Sequence, residues 1–114
     1  MTSTARKRLA LLAGIAEIKA TRAKAEAATE LRQVQDRQAD IDRLRKRKAA
    51  IAPALQDPAT ALQAARWMVG CEADLQARSR DMANARVSLE VARDRARYEE
   101  GRRQVLDKLS GQAS

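Results

Sequence analysis

Histidine and phenylalanine are absent from this 114-residue sequence, and tryptophan, tyrosine and cysteine occur once each. The absence of histidine excludes imidazole metal ligation, histidine-based proton transfer and a Ser-His-Asp triad. A single cysteine excludes an intramolecular disulfide and fits a reducing compartment, so we predict a cytoplasmic location. Aromatic residues make up 2% of the chain, which leaves too few large side chains to fill the core of a compact globule.

Turn residues and long apolar runs are also scarce. Two prolines and four glycines are too few for a loop-rich fold. No apolar run reaches the roughly 18–20 residues that a membrane span requires. The N-terminal segment looks like a secretory signal, with Arg6–Arg8 before the apolar run 9–16, but Glu17 and Lys19 cut that run short. We therefore expect neither a membrane span nor a signal peptide.

Charge and small apolar residues are abundant. Charged residues make up 33% of the chain and apolar residues 45%, the latter mostly alanine, leucine, isoleucine and valine. This composition is typical of a long helix or coiled coil, which has a thin apolar seam in place of a deep core. The net charge of +8 favours acidic partners: nucleic acid, an anionic membrane surface or an acidic protein.

Only the stretch 51–58 interrupts the helical pattern. Pro53 lacks an amide hydrogen and clashes with the preceding turn, so a helix from the N-terminus should end near Ala52. Asp57 and Pro58 favour a new helix start, and Thr60 begins a second, overlapping start of capping-box form. The sequence therefore predicts an all-α fold of two long helices forming an antiparallel coiled-coil hairpin. We expect a single domain with a helix over 4–52, a corner over 53–58, a helix over 58–109 and a frayed tail over 110–114.

Apolar and small residues recur at steps of three and four along each helix, which predicts a seam facing the other helix. The predicted seam of the first helix is Leu9, Leu12, Ala16, Ala20, Ala23, Ala27, Leu31, Val34, Gln38, Ile41, Leu44, Lys48, Ile51 and Leu55. That of the second is Ala61, Ala65, Met68, Glu72, Leu75, Arg78, Met82, Ala85, Leu89, Ala92, Ala96, Glu99, Arg103 and Leu106. The second seam follows heptad spacing from Leu75 onward.

A second apolar stripe lies beside or opposite each seam. It comprises Leu11, Ile15 and Ile18 on the first helix, and Val87, Val91, Tyr98 and Val105 on the second. A two-helix hairpin cannot bury both stripes of a helix. We expect the hairpin to be marginally stable alone and to gain stability from a protein partner or by pairing as a homodimer.

Two patches near the corner invite a functional interpretation. The basic run Arg43–Lys48 is either an anion-binding patch or a solvated helix face. In the segment Trp67–Cys71 the only tryptophan and the only cysteine lie within two turns. This segment is either an exposed protein-contact site, or Trp67 covers the corner by folding over Leu55 and Ile51. Cys71 has no activating histidine or second cysteine, which indicates a small apolar role.

The chain resembles the stalk proteins of flagellar and type III secretion export ATPases, the FliJ/YscO family. The resemblance covers nearly the whole chain as a pattern. It is carried by Arg66-Trp67 just after the corner, by Leu75, Arg78, Met82, Ala85 and Leu89 at heptad spacing, and by the basic run 93–109.

The resemblance implies a non-enzymatic stalk or chaperone in protein transport. The end of the hairpin that carries the termini would contact the hexameric export ATPase, and residues near the corner would contact the export gate. The ATPase-facing residues would be Leu11, Ile15, Ile18, Val91, Tyr98 and Val105. The gate-facing residues would be Ile41, Arg45, Lys48, Trp67, Met68, Cys71 and Leu75.

Two alternatives from other classes stay open. The chain could be a basic helical nucleic-acid-binding protein that dimerises into a four-helix bundle, or residues 5–19 could lie on a membrane surface. An enzyme is least expected, because no combination of nucleophile, base and pocket is visible, and no cofactor or metal is implied.

Overall fold

The structure is a computed structural model that describes residues 2–113, and within them it contains two long helices and no strand. Helix α1 spans Ser3–Ile51, a 3₁₀ segment follows over Ala52–Gln56, and helix α2 spans Ala61–Ala113. The predicted all-α hairpin of two long helices is confirmed.

The start of α1 is capped by Thr2. The hydroxyl oxygen of Thr2 accepts a hydrogen bond from the amide of Ala5 at 3.1 Å. The carbonyl of Thr2 accepts another from the amide of Arg6 at 3.0 Å. These bonds satisfy amide groups that the first turn of a helix otherwise leaves without partners.

Pro53 ends α1 where expected, but the chain does not leave the helical path there. Pro53 lies in the first turn of the 3₁₀ segment, where its missing amide hydrogen is not needed. The Asp57 carboxylate then accepts a hydrogen bond from the Ala59 amide at 3.0 Å, and the Thr60 hydroxyl donates one to the Ala54 carbonyl at 2.8 Å. Helix α2 therefore begins at Ala61, the later of the two predicted starts, and not at Pro58.

The frayed tail predicted from residue 110 is wrong for the part of it that the structure describes. Helix α2 continues to Ala113, and Ser114 lies outside the described residues. Gly111 lies within the last turns of α2, and none of the described glycines has a positive φ. Without a left-handed cap or a proline, nothing stops the last turn from forming.

Contacts divide the chain into two units. We call residues 1–31 and 88–114 the terminal unit, and residues 32–87 the corner unit. Each unit contains a segment of both helices. In the corner unit, Asp40 contacts Arg78 and Lys48 contacts Glu72, so residue numbers rise on α1 as they fall on α2. This pairing is antiparallel, as predicted.

The seams are thin and rich in alanine. The buried apolar residues of the terminal unit are Ala13, Ala16, Ala20, Ala23 and Leu89. Those of the corner unit are Ile41, Ala64, Cys71, Met82 and Ala85. Alanine at these positions lets two helix backbones approach closely, which replaces the burial of large side chains.

Four predicted seam positions are exposed: Leu12, Leu55, Ala65 and Glu72. Leu55 lies in the 3₁₀ segment, outside both long helices, and at the other three positions a neighbour is buried instead. Ala13 replaces Leu12, Ala64 replaces Ala65, and Cys71 replaces Glu72. On α2 the two corrections extend the alternation of three and four residues back to Ala61. An unbroken 3.5-residue period keeps one stripe against the partner helix, whereas steps of four alone turn the stripe away from it.

Glu99 is the least favourable seam residue. It is half-buried, and one of its carboxylate oxygens is buried without a hydrogen-bond partner in the described structure. We expect the Glu99→Leu substitution to stabilise the hairpin by about 1 kcal/mol, because it removes the cost of that unpaired oxygen. Urea unfolding would measure the change. The exposed Glu17→Leu substitution serves as the control, and an equal gain there would contradict this explanation.

Candidate protein-contact surfaces

The terminal unit exposes the second stripe of α1. Leu11, Ile15 and Ile18 follow one another at steps of four and three, so they share one helix face. All three are exposed, Leu11 by 66% of its surface. The prediction that the hairpin leaves this stripe uncovered is confirmed.

The same unit exposes the second stripe of α2. Val91, Tyr98 and Val105 are spaced by seven residues, and each shows more than half of its surface to solvent. Tyr98 and Val105 also line an open groove of about 680 Å³ with Leu12 and Leu106. Two arginines, Arg97 and Arg102, border the groove. The groove therefore combines apolar walls with a positive rim.

Beside this groove, an ion-pair network joins the two helices. The Arg103 guanidinium binds the Glu100 carboxylate at 2.7 and 3.0 Å, and Lys24 of α1 binds the same carboxylate at 2.8 Å. Arg103 also contacts Asp107 at 2.6 Å. Hydrogen bonds from Arg103 and then Lys24 lower the pKa of Glu100 to about 2, and Glu100 raises the pKa of Arg103.

The lowered pKa of Glu100 gives the stability of the hairpin an acid dependence. A lowered carboxyl pKa stabilises the fold above the ordinary value of 4.5, and this stabilisation is lost as the pH falls toward about 2. We therefore expect Glu100→Gln to lower the Tm at pH 6, and the difference from wild type to shrink below pH 4.5. Thermal melts between pH 6 and 2 would measure it.

The matched control for this melt series is Glu17→Gln, which removes an exposed carboxylate for which the described structure shows no ion pair. We expect its Tm difference to stay small at every pH. A Glu100→Gln difference that stays constant down to pH 2 would contradict the role of the network.

The residues predicted to face the gate lie mostly in or beside the seam. Ile41 and Cys71 are buried, so neither can contact a partner while the helices stay paired. Met68 and Leu75 are half-buried. Lys48 is engaged by Glu72 of the other helix, and Arg45 approaches Asp42 at 4.0 Å. These residues lie in or next to the contact between the helices because each occupies a heptad position or flanks one.

The corner unit has a different accessible surface. Trp67 is half-buried and lines an open groove of about 370 Å³ with Ile51, Ala54, Thr60, Gln63 and Ala64. We call this the corner groove. Trp67 thus lies over the corner beside Ile51, while Val69 is exposed by 73% of its surface. The segment therefore combines both predicted features: Trp67 covers part of the corner, and Val69 is accessible to a partner.

Sequence reasoning missed Leu62, which is as exposed as Leu11. Leu62 and Val69 are seven residues apart, so they share the outer face of α2. The signal was present in the sequence, since neither residue falls on the predicted seam and two bulky apolar residues at heptad spacing indicate a second face.

The basic run is divided between paired and free cations. Arg43 pairs with Asp40 on the same helix, and Lys48 pairs across to Glu72. Within residues 2–113, no ion pair involves Lys46 or Arg47. The run is therefore neither a fully neutralised helix face nor a fully free patch.

Neither described helix has an apolar stretch that could cross a membrane, and residues 2–113 hold no cluster of three acidic or cysteine side chains suited to a metal ion. Comparison of this chain with family models, with characterised proteins and with solved structures found no match.

Proposed function

We propose that this chain is a non-enzymatic coiled-coil hairpin that works by protein contact, as a cytoplasmic stalk or chaperone of a flagellar or type III protein export apparatus. In this function the terminal unit contacts the hexameric export ATPase, and the corner unit contacts the export gate. The proposal combines the resemblance in sequence pattern with the faces that the hairpin leaves exposed.

The observation that carries the proposal is the crowding of exposed bulky apolar side chains in the terminal unit. A protein surface that exposes neighbouring apolar residues on both of its helices is typical of a contact site. The residues are Leu11, Leu12, Ile15, Ile18, Val91, Tyr98, Val105 and Leu109.

The distribution of these side chains over the faces of the two helices suits a partner that surrounds the terminal unit. The α1 stripe lies on the face of α1 away from its buried alanines, and the α2 stripe is likewise separated from Leu89 and the rest of its seam. Apolar contacts on more than one side of a rod favour a ring or a cleft over a single flat partner. Arg97 and Arg102 add a positive rim that would meet acidic residues of the partner.

Binding to a purified export ATPase hexamer tests the proposal. We expect Ile15→Asp and Tyr98→Asp each to weaken binding by at least about tenfold, because each places a charge in the apolar contact. Both residues are exposed, so the helix content should not change.

Gln33→Asp is the control, because it introduces the same charge at an exposed residue of the corner unit. It should bind the ATPase as wild type does. Equal binding by all four proteins, or no binding by any of them, would overturn the proposed ATPase contact.

A further inference from the structure

We propose that the corner groove binds an acidic protein segment through one bulky apolar side chain, with the carboxylates of that segment held by the cations around the groove. This inference deepens the corner contact of the proposed function by assigning the chemistry of its partner. It rests on the hairpin acting by protein contact, but it needs neither the ATPase nor the terminal unit.

The groove is already formed in the unbound chain. Ile51 and Ala54 approach it from the end of α1 and the 3₁₀ segment, and Ala64 and Trp67 approach it from the first turns of α2. The Thr60 hydroxyl bonds the Ala54 carbonyl at 2.8 Å, which ties one side of the groove to the other. A pre-formed site loses little conformational entropy when it binds.

Size and lining decide which group the groove accepts. Its volume of about 370 Å³ is at the lower end of the range of about 300–1,000 Å³ for ligand pockets. Its walls are mainly apolar, with the indole of Trp67 on one side, and Thr60 and Gln63 are the two polar residues of the lining. A bulky apolar side chain of a partner fits this lining, and tryptophan is a frequent centre of protein contacts.

The charges around the groove select an acidic partner. Six Lys or Arg residues lie between residues 43 and 71, and Asp57 is the one carboxylate in that range. Three of these cations pair with carboxylates that flank the range, namely Asp40, Asp42 and Glu72. The Asp57 carboxylate already accepts a hydrogen bond from the Ala59 amide. Arg66 directly precedes Trp67, and Arg47 lies one turn before Ile51 on α1; in residues 2–113 neither forms an ion pair. Both cations are therefore available to incoming carboxylates.

The same charges argue against two other occupants. A second copy of the chain would bring an equal excess of cations to the contact, and like charges repel. The phosphates of a nucleic acid would pair with the cations, but they would gain little from the apolar walls of the groove. Trp67 is also the only tryptophan on which a base could stack. An acidic segment with an apolar anchor uses both the groove and its rim.

Trp67 allows a direct test, because as the only tryptophan it reports on the groove by its own fluorescence. The probes are three synthetic peptides titrated into the full chain: Glu-Asp-Glu-Phe-Glu-Asp-Glu, the same peptide with Ser in place of Phe, and the same peptide with Lys in place of every acidic residue. We expect the first to shift the emission of Trp67 and to bind at least tenfold tighter than the other two.

Two charge-reversal variants complete the experiment. Arg66→Glu should weaken binding of the acidic peptide at least tenfold. Arg32→Glu, which changes an exposed residue on α1 of the same unit, should leave the affinity for that peptide unchanged. Far-ultraviolet circular dichroism would verify that both variants keep their helix content. Titration of decathymidylate into the chain at the same salt concentration tests whether nucleic acid occupies the groove instead.

Four results would overturn the inference. These are an unchanged Trp67 emission, equal affinity for the Phe and Ser peptides, equal affinity for the acidic and basic peptides, and tighter binding of decathymidylate than of the acidic peptide. The ATPase-binding experiment has no bearing on any of them, so failure of the ATPase contact and failure of the groove are distinguishable.

Discussion

The Ala20→Leu substitution is expected to force the two helices of the terminal unit apart and to lower the Tm by about 10 °C. Ala20 shows 1% of its surface to solvent, and it lies in a run of buried alanines with Ala16 and Ala23. Because Ala20 is almost fully enclosed, three more carbon atoms fit there only if the two helices move apart. Such overpacking typically costs about 1–3 kcal/mol, a large fraction of the stability of a thin hairpin.

The matched control is Ala28→Leu, an exposed position on the same helix. Both variants change alanine to leucine within α1, so their small difference in helix propensity cancels. Thermal unfolding followed by circular dichroism would show a wild-type Tm for Ala28→Leu. Equal Tm values for the two variants would contradict the idea that close packing at Ala20 stabilises the terminal unit.

The Ile41→Ala substitution should have a comparable effect in the corner unit for the opposite reason. Ile41 is 3% exposed and is the largest buried aliphatic side chain that α1 contributes to this unit. Truncation removes its burial and leaves a cavity, which costs about 2–5 kcal/mol in protein cores. We expect a value near 2–3 kcal/mol, because a two-helix seam can partly close over the gap.

Urea unfolding would measure this loss, with Leu62→Ala as the control. Leu62 belongs to the same unit and loses the same kind of side chain, but it is exposed by 66% of its surface. Its unfolding free energy should change by less than about 0.5 kcal/mol. An equally large loss at Leu62 would show that its outer face is already covered, which would also change the surface available to partners.

Much of the fold was predictable because the helix signals are local. Pro53, the cap at Thr2 and the spacing of alanine and leucine each act through neighbours within one or two turns. The exposed stripes were predictable for a related reason. A helix in a two-helix hairpin has one buried face, so residues such as Ile15 and Tyr98, which lie off the seam, have nothing to cover them.

The candidate surface at the corner was less predictable. Trp67, Met68 and Cys71 are close in sequence, but 100° of rotation per residue sends their side chains in different directions. Cys71 lies in the seam, Trp67 lies over the corner, and Val69 points to solvent. Which of these directions faces α1 depends on the rotation of α2 about its axis, and the residues of this short segment do not fix that rotation by themselves.

The sequence by itself determined that this chain forms two long helices around a corner, and that each helix carries more apolar surface than one seam can bury. It did so because helix propensity, capping and periodicity are properties of short segments. Tertiary structure alone decided that Ala64 and Cys71 are buried in place of Ala65 and Glu72, and that Ile51 and Trp67 share a groove. Those outcomes depend on the path of the chain through residues 52–60, where a 3₁₀ segment and the Thr60–Ala54 hydrogen bond set the angle at which α2 starts.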